Sequence, residues 1–317
     1  MRTSRHGAIA SIVAGLTLPP ALVRAQPVTT VRILAPPTEQ MLPFAYAQRA
    51  GLFDRAGLKV ELSRSTSGAA TAAALAAGAA DIGLSSILGV VLGYARGVPF
   101  TIVAPSGLWT PGFDGGVLVP TASPLRTAKD LEGKTFSAAA VNDITLLGLR
   151  AWMDQNGADS TSVKIVEIPQ AAAPVALEQG RVDAIMVSDP AYTIAIASGK
   201  ARRLVDTYIA IAPRFLLVCW FSTSGWVERN RATAERFGRV IADAATYASS
   251  HVDETLDDLV QLTGLDRALC QRMHRTPQTP AVLTTDLQPV IDVAVRYKAL
   301  SKPFAAKELI SDAAVKS

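Results

Sequence analysis

Two thirteen-residue stretches constrain this chain more than anything else in it. Residues 74–86 read ALAAGAADIGLSS and residues 176–188 read ALEQGRVDAIMVS, with Ala, Leu, Gly, Asp and Ser recurring at a constant offset of 102. Each stretch starts as a helical pattern, stops at Gly, and passes through Asp into an apolar run. One helix–turn–strand unit is therefore written twice. The 317 residues divide into two similar halves, in keeping with roughly 150 residues per domain.

The flanking patterns repeat as well. The first half alternates strand patterns at 31–34, 59–62, 82–84 and 100–103 with helical patterns at 42–49, 69–77 and 87–96. The second half has strands at 134–138, 163–167, 184–187 and 203–205 and helices at 144–155, 171–179 and 191–198. Such alternation predicts right-handed βαβ units, hence an α/β fold of two lobes, each a mostly parallel sheet flanked by helices. Two further apolar runs, 116–120 and 215–221, are each followed by turn residues, and the chain is expected to cross between lobes there. Two crossings make the first lobe discontinuous, residues 26–119 plus 220–317, with 120–219 as the second, and predict a hinge. The tail is helical: Val227, Ala234, Phe237, Ile241, Ala245 and Ala248 share one helix face, and a second helix covers 286–300.

Residues 1–25 read as a secretory signal peptide, with Arg2 and Arg5 ahead of an apolar run and small residues before Gln26. No Cys stands at the cleavage point, so no lipid anchor is expected, and no later window is long and apolar enough to span a membrane. Three Arg and no acid leave with this segment, so the remainder holds 28 basic against 27 acidic groups. The pI of 9.1 belongs largely to the signal, and no basic stripe interleaved with aromatics remains for nucleic acid. Two cysteines, Cys219 and Cys270, are too few for a disulfide scaffold or a four-ligand zinc module. Lying in an apolar strand and a separate helical segment, they are expected to be free and buried. Cys270 and His274 sit one turn apart without a third ligand, so neither a metal nor a cofactor is expected.

Four segments carry a family resemblance: AQRAGLFDRAGLKVEL at 47–62, ALAAGAADIGLSS, DLEGKTF at 130–136 and GRVDAIMVSDP at 180–190. In that order they resemble the periplasmic solute-binding proteins of ABC importers, in the branch that handles nitrate, alkanesulfonates, taurine and thiamine-pyrimidine precursors. The resemblance implies a type II periplasmic-binding-protein clamshell. Such a protein captures one small molecule in the interlobe cleft by hinge closure and, as a periplasmic monomer, delivers it to a membrane permease. A signalling receptor is the other partner that the exposed lobe surfaces would serve.

Sheet physics points to the same cleft, because ligands bind beyond the carboxyl ends of parallel strands, where helix N-termini present unpaired N–H groups. The first-lobe loops supply Thr38, Gln40, Phe44, Thr66, Ser67, Gly68, Ser85, Ser86 and Trp109 as ligand-binding candidates, and the second-lobe loops Asn142, Thr145, Asp189 and Tyr192. Several have a purely structural alternative: Thr66, Ser67, Ser85, Ser86, Asn142, Asp143 and Asp189 are good helix caps, and Phe44 and Tyr192 suit a core. Trp109, in a Gly- and Pro-rich loop, is read as a stacking wall for a flat ligand. Asp81 and Asp183 precede strands at the far end of the sheets and are assigned to structure. The loops hold Glu39, Asp114, Asp143 and Asp189 and no Lys or Arg, which favours a nitrogenous or uncharged aromatic solute over nitrate or sulfonate.

No enzyme is expected. The chain lacks GxSxG, HExxH, GxxxxGK, and GxGxxG after its first strand. The alternatives are an enzyme of the related pyrimidine-precursor-synthase type, which would carry clustered cysteines and no export signal, or a hydrolase pairing Asp143 with Asp189 across the cleft. The signal reading predicts that N-terminal sequencing of protein from its native host begins at Gln26; a start at Met1 contradicts it.

Overall fold

Strand order is the same in both halves of the molecule. The computed structural model describes residues 28–112, 115–141 and 143–314, so the expected signal segment, Asp114 and Asn142 lie outside the described residues. The first half forms β1 (Thr29–Ala35), β2 (Leu58–Arg64), β3 (Ile82–Ser86) and β4 (Phe100–Pro105), then a two-residue β5 (Leu108–Trp109) and β6 (Gly115–Pro120). The second half forms β7 (Thr135–Ala138), β8 (Lys164–Glu167), β9 (Ala184–Ser188) and β10 (Ala201–Val205), then a two-residue β11 (Phe215–Leu216) and β12 (Val218–Thr223). One sheet is ordered β2-β1-β3-β12-β4 and the other β8-β7-β9-β6-β10. In each, four parallel strands hold one antiparallel strand, β12 between β3 and β4, and β6 between β9 and β10.

That inserted strand is the one the chain enters on crossing from the other half. The crossings therefore lie ahead of β6 and ahead of β12, not at 119/120 and 219/220 as the turn residues suggested. β6 pairs with β9 on one edge and β10 on the other, so the turn after Pro120 marks its far end instead.

The repeated motif has one structural job in both copies. Asp81 Oδ2 accepts the Arg32 backbone N–H at 2.8 Å, and the Asp81 N–H donates to the Arg32 carbonyl at 2.9 Å. Asp183 does the same with Thr135, at 2.8 Å in both directions. Gly78 and Gly180 stop the preceding helices at φ 73° and 67°, a left-handed conformation that Gly adopts without penalty.

At the crossings β5 and β11 pair antiparallel, Trp109 opposite Phe215 and Leu108 opposite Leu216. Here the expectation for Trp109 fails. It is 1% exposed, its ring stacks on Phe215 at 5.5 Å, and its Nε1–H donates to Asp206 Oδ2 at 3.0 Å. Asp206 also takes Arg203 at 3.0 Å and the Tyr208 N–H at 3.0 Å. A large ring in a hinge fills the apolar gap between two short strands, and its N–H finds a buried acceptor, so no face is left for a solute.

The tail returns to the first lobe. Its helix Arg231–Ser250 packs Phe237 against Trp220 and Phe53, and Phe44 joins the same group at 5.1 Å from Phe53 and 5.4 Å from Trp220. Phe44 is thus a core residue. Beyond that helix the tail runs beside the hinge: the Leu108 N–H donates to the Pro277 carbonyl at 2.8 Å, and Arg214 and Asp286 form a bidentate pair at 2.9 Å. Cys219 and Cys270 are free and buried. Among the described residues no helix is long and apolar enough to cross a membrane.

Trp109→Ala is expected to destabilise the protein by about 3–5 kcal/mol, the usual cost of emptying a buried aromatic site. Urea unfolding followed by circular dichroism measures it; a loss below about 1 kcal/mol would return Trp109 to the surface.

Candidate functional site

The carboxyl ends of the two sheets face each other across a cavity of about 80 Å³, room for one small solute. The first half contributes Thr38, Gln40, Gly68, Ser85 and Ser86 to its wall, and the second Asp143, Ile144, Gln170, Ser188 and Tyr208. The contributions match under the repeat: Ser85 and Ser86 end β3 as Ser188 ends β9.

Three helix N-termini reach this cavity. Ser67 caps the helix Gly68–Ala76 by accepting the Ala70 N–H at 3.2 Å. Ser86 caps Ile87–Ala95 through the Gly89 N–H at 3.4 Å, and Asp143 caps Ile144–Gln155 through the Thr145 N–H at 2.9 Å. Ser86 both caps its helix and lines the cavity, whereas Ser67 caps its helix and is not part of the wall.

Ser85 differs from its neighbours. It is 1% exposed, it lines the cavity, and its Oγ has no hydrogen-bond partner. Buried hydroxyls are nearly always bonded, and that sets this one apart. Two glycines make room for it, since a Cβ at Gly68 would lie 2.5 Å from Ser85 Oγ and one at Gly89 2.8 Å away. The hydroxyl thus sits flush against the first turns of two helices, where backbone dipoles favour negative charge.

The second-lobe side is differently polar. Gln170 Oε1 accepts from both the N–H and the hydroxyl of Ser188 at 3.1 Å. Burial holds the Asp143 carboxyl above its ordinary range, with the Thr145 and Ile144 amides pulling against it. Burial, then the nearby Asp143 and Asp206, raises the Tyr208 hydroxyl well above its own.

Several expected site residues lie elsewhere. Thr66 is exposed on its loop, Phe44 and Trp109 are in the core and the hinge, and Tyr192 packs against the second-lobe core. Thr145 is buried just behind Asp143 and Ile144. Asp189 is 4% exposed and accepts the Thr193 N–H at 2.9 Å as a helix cap, outside the cavity wall. Ile144, Tyr208 and Leu217 line the wall unannounced: apolar residues at strand and helix ends look like core, and only their position distinguishes them.

Behind Gln40 lies a second group, of which the sequence pointed to Glu39 and Asp189 but not to Thr276 or Arg275. Glu39 is 1% exposed and accepts the Thr276 N–H at 3.2 Å, while Gln40 Nε2 donates to Thr276 Oγ1 at 3.2 Å. Burial pushes the Glu39 carboxyl up to about 7; the Thr276 hydrogen bond and the Arg275 charge lower it, and Asp189 raises it. Glu39 and Asp189, two of the acids that argued against an anionic solute, thus lie outside the cavity wall and within electrostatic reach of Arg275.

A raised carboxyl stabilises the fold only while protonated. The Glu39 contribution is complete below its ordinary 4.5 and is lost as pH rises to about 7, a decline of about 3 kcal/mol. Glu39→Gln, which keeps an acceptor for Thr276, is expected to flatten the fall in Tm across that window; an unchanged pH profile contradicts the assignment.

Comparisons with known proteins agree with this geometry. A family model described as NMT1/THI5 like matches residues 38–255. A Bacillus subtilis protein described as a putative aliphatic sulfonates-binding protein is 25% identical over 290 residues, covering 88% of this chain and 85% of that one. The periplasmic aliphatic sulphonate binding protein SsuA from Escherichia coli superposes with a TM-score of 0.73 at 21% identity, covering 89% of this chain and 97% of the other. The desulfurization enzyme DSZB shares the fold at a TM-score of 0.65 and 15% identity, covering 89% and 96%. The fold is that of the periplasmic binding proteins.

Proposed function

We propose that this chain, which belongs to the NMT1/THI5-like family, is the extracytoplasmic solute-binding component of an ABC importer. It takes a small aliphatic solute with a sulfonate-type oxyanion head and presents it to a membrane permease. The observation that carries this reading is Ser85: a buried, unpartnered hydroxyl held between the N-termini of two helices, each ending a strand of the first lobe. Helix N-termini and a hydroxyl donor suit a group that only accepts hydrogen bonds. Leu84, Ile144 and Leu217 in the same wall suit a short alkyl chain.

The preference for a nitrogenous or aromatic solute loses three of its supports, and of its described acids Asp143 alone stays in the wall. Trp109 is packed in the hinge, and Glu39 and Asp189 lie outside the wall. The sulfonate-binding relatives point the same way. Binding is favoured over hydrolysis because Asp143 lines the cavity and Asp189 does not, so among the described residues no pair of carboxylates faces across it.

Isothermal titration with ethanesulfonate and with the neutral ethyl methyl sulfone tests the reading. The sulfonate is expected to bind and the sulfone not. Ser85→Ala is expected to cost about 1.5–3 kcal/mol, the worth of a hydrogen bond to a charged group, and Gly68→Ala to weaken binding by displacing the Ser85 hydroxyl. Equal affinity for the two compounds, or indifference to Ser85→Ala, contradicts it.

A further inference from the structure

The segment 267–278 of the tail touches the first lobe, the second lobe and the hinge. Its helix Arg267–Arg272 packs against Ala191–Ala197 of the second lobe. Thr276 bonds Glu39 and Gln40 of the first lobe, and Gly107 and Gln278 form a β-bridge at the hinge. Between these contacts Arg275 carries its guanidinium inward, with Nε and Nη1 buried and without hydrogen-bond partners. It lies within electrostatic reach of Glu39 and of Asp189, buried carboxylates that belong to opposite lobes.

A guanidinium is rarely buried without acceptors, because its desolvation is repaid only by close carboxylates. Here the carboxylates sit on the two bodies that move. Opening the cleft separates Asp189 from Arg275, whereas Glu39 stays with the tail through Thr276. Without the cation, Asp189 and, above about pH 7, an ionised Glu39 would face each other across the gap. The lining residues Gln40 and Ser188 stand next in sequence to Glu39 and Asp189, so the contact lies one residue from the cavity wall on each side.

We propose that Arg275 is an interlobe positioning residue, a cation from the tail that holds Glu39 of one lobe and Asp189 of the other and biases the protein toward the closed arrangement. It acts through the lobes without touching the solute. The inference rests on the cleft as the moving element, and it is independent of which solute binds there.

Double electron–electron resonance on the unliganded protein tests it, with nitroxide labels at Lys59→Cys and Lys164→Cys on exposed outer strands of opposite lobes. Native Cys219 and Cys270 are buried and do not compete for label. Arg275→Gln is expected to shift the interlobe distance distribution to longer values, and Asp189→Asn, which keeps the Thr193 cap acceptor, to shift it the same way by less. The double variant is expected to go no further than Arg275→Gln alone, and Arg275→Lys to recover part of the short-distance population. If Arg275→Gln loses its native circular dichroism, the Asp189→Asn shift alone decides. Distances unchanged in every folded variant overturn the proposal, whatever the titrations with ethanesulfonate show.

Discussion

Everything in this molecule depends on how two short strands hold the chain at its crossings. β5 and β11 share a single antiparallel ribbon, and the Trp109–Phe215 stack fills the space that four strand residues cannot. Beyond the ribbon each strand goes on to complete the opposite sheet, β6 between β9 and β10, β12 between β3 and β4. Neither lobe has a full sheet without chain delivered through the hinge. The hinge is thus packed as a core while spanning few residues, which lets the lobes rotate as bodies without breaking sheet hydrogen bonds.

The same topology aims the chemistry. Because both sheets are mostly parallel, the helices that follow their strands begin on the same side, and the lobes meet with those beginnings facing inward. Orphan amides at Gly68–Ala76 and Ile87–Ala95 and the hydroxyl of Ser85 form one corner; Asp143, Gln170 and Ser188 form the other. The corner with donors and no acid suits an oxyanion, and the corner with acceptors suits whatever polar group a solute carries at its far end. Directed donors suit an anion even without lysines, because dipoles fixed by the fold need no reorganisation.

The sequence made the architecture legible because the repeat was physical. The helices at 42–49 and 144–155 have the bounds their periodicity predicts, and Asp81 and Asp183 perform the strand-clamping role inferred from their position. The lobe boundary was misplaced because β6 and β12 are apolar strands whose partners lie in the other half, and pairing across such distances leaves no local mark. Site residues were half legible. That Thr38, Gln40, Gly68, Ser85 and Ser86 would face the space between the lobes followed from strand ends alone. Trp109 misled because a Gly- and Pro-rich loop suggests exposure, while a hinge must bury a large side chain in that same loop. Arg275 left no signal, since a lone Arg between His274 and Thr276 looks like any solvated tail residue.

The central claim is that both lobes grip one small oxyanion-bearing solute and that the hinge between them responds. Amide hydrogen exchange with and without saturating ethanesulfonate addresses it directly. The account predicts slower exchange at three separate segments, residues 68–71 and 87–90 of one lobe and 144–147 of the other, together with a change at 107–109 and 215–217 in the hinge. Protection confined to a single lobe, with the hinge unaffected, would contradict it.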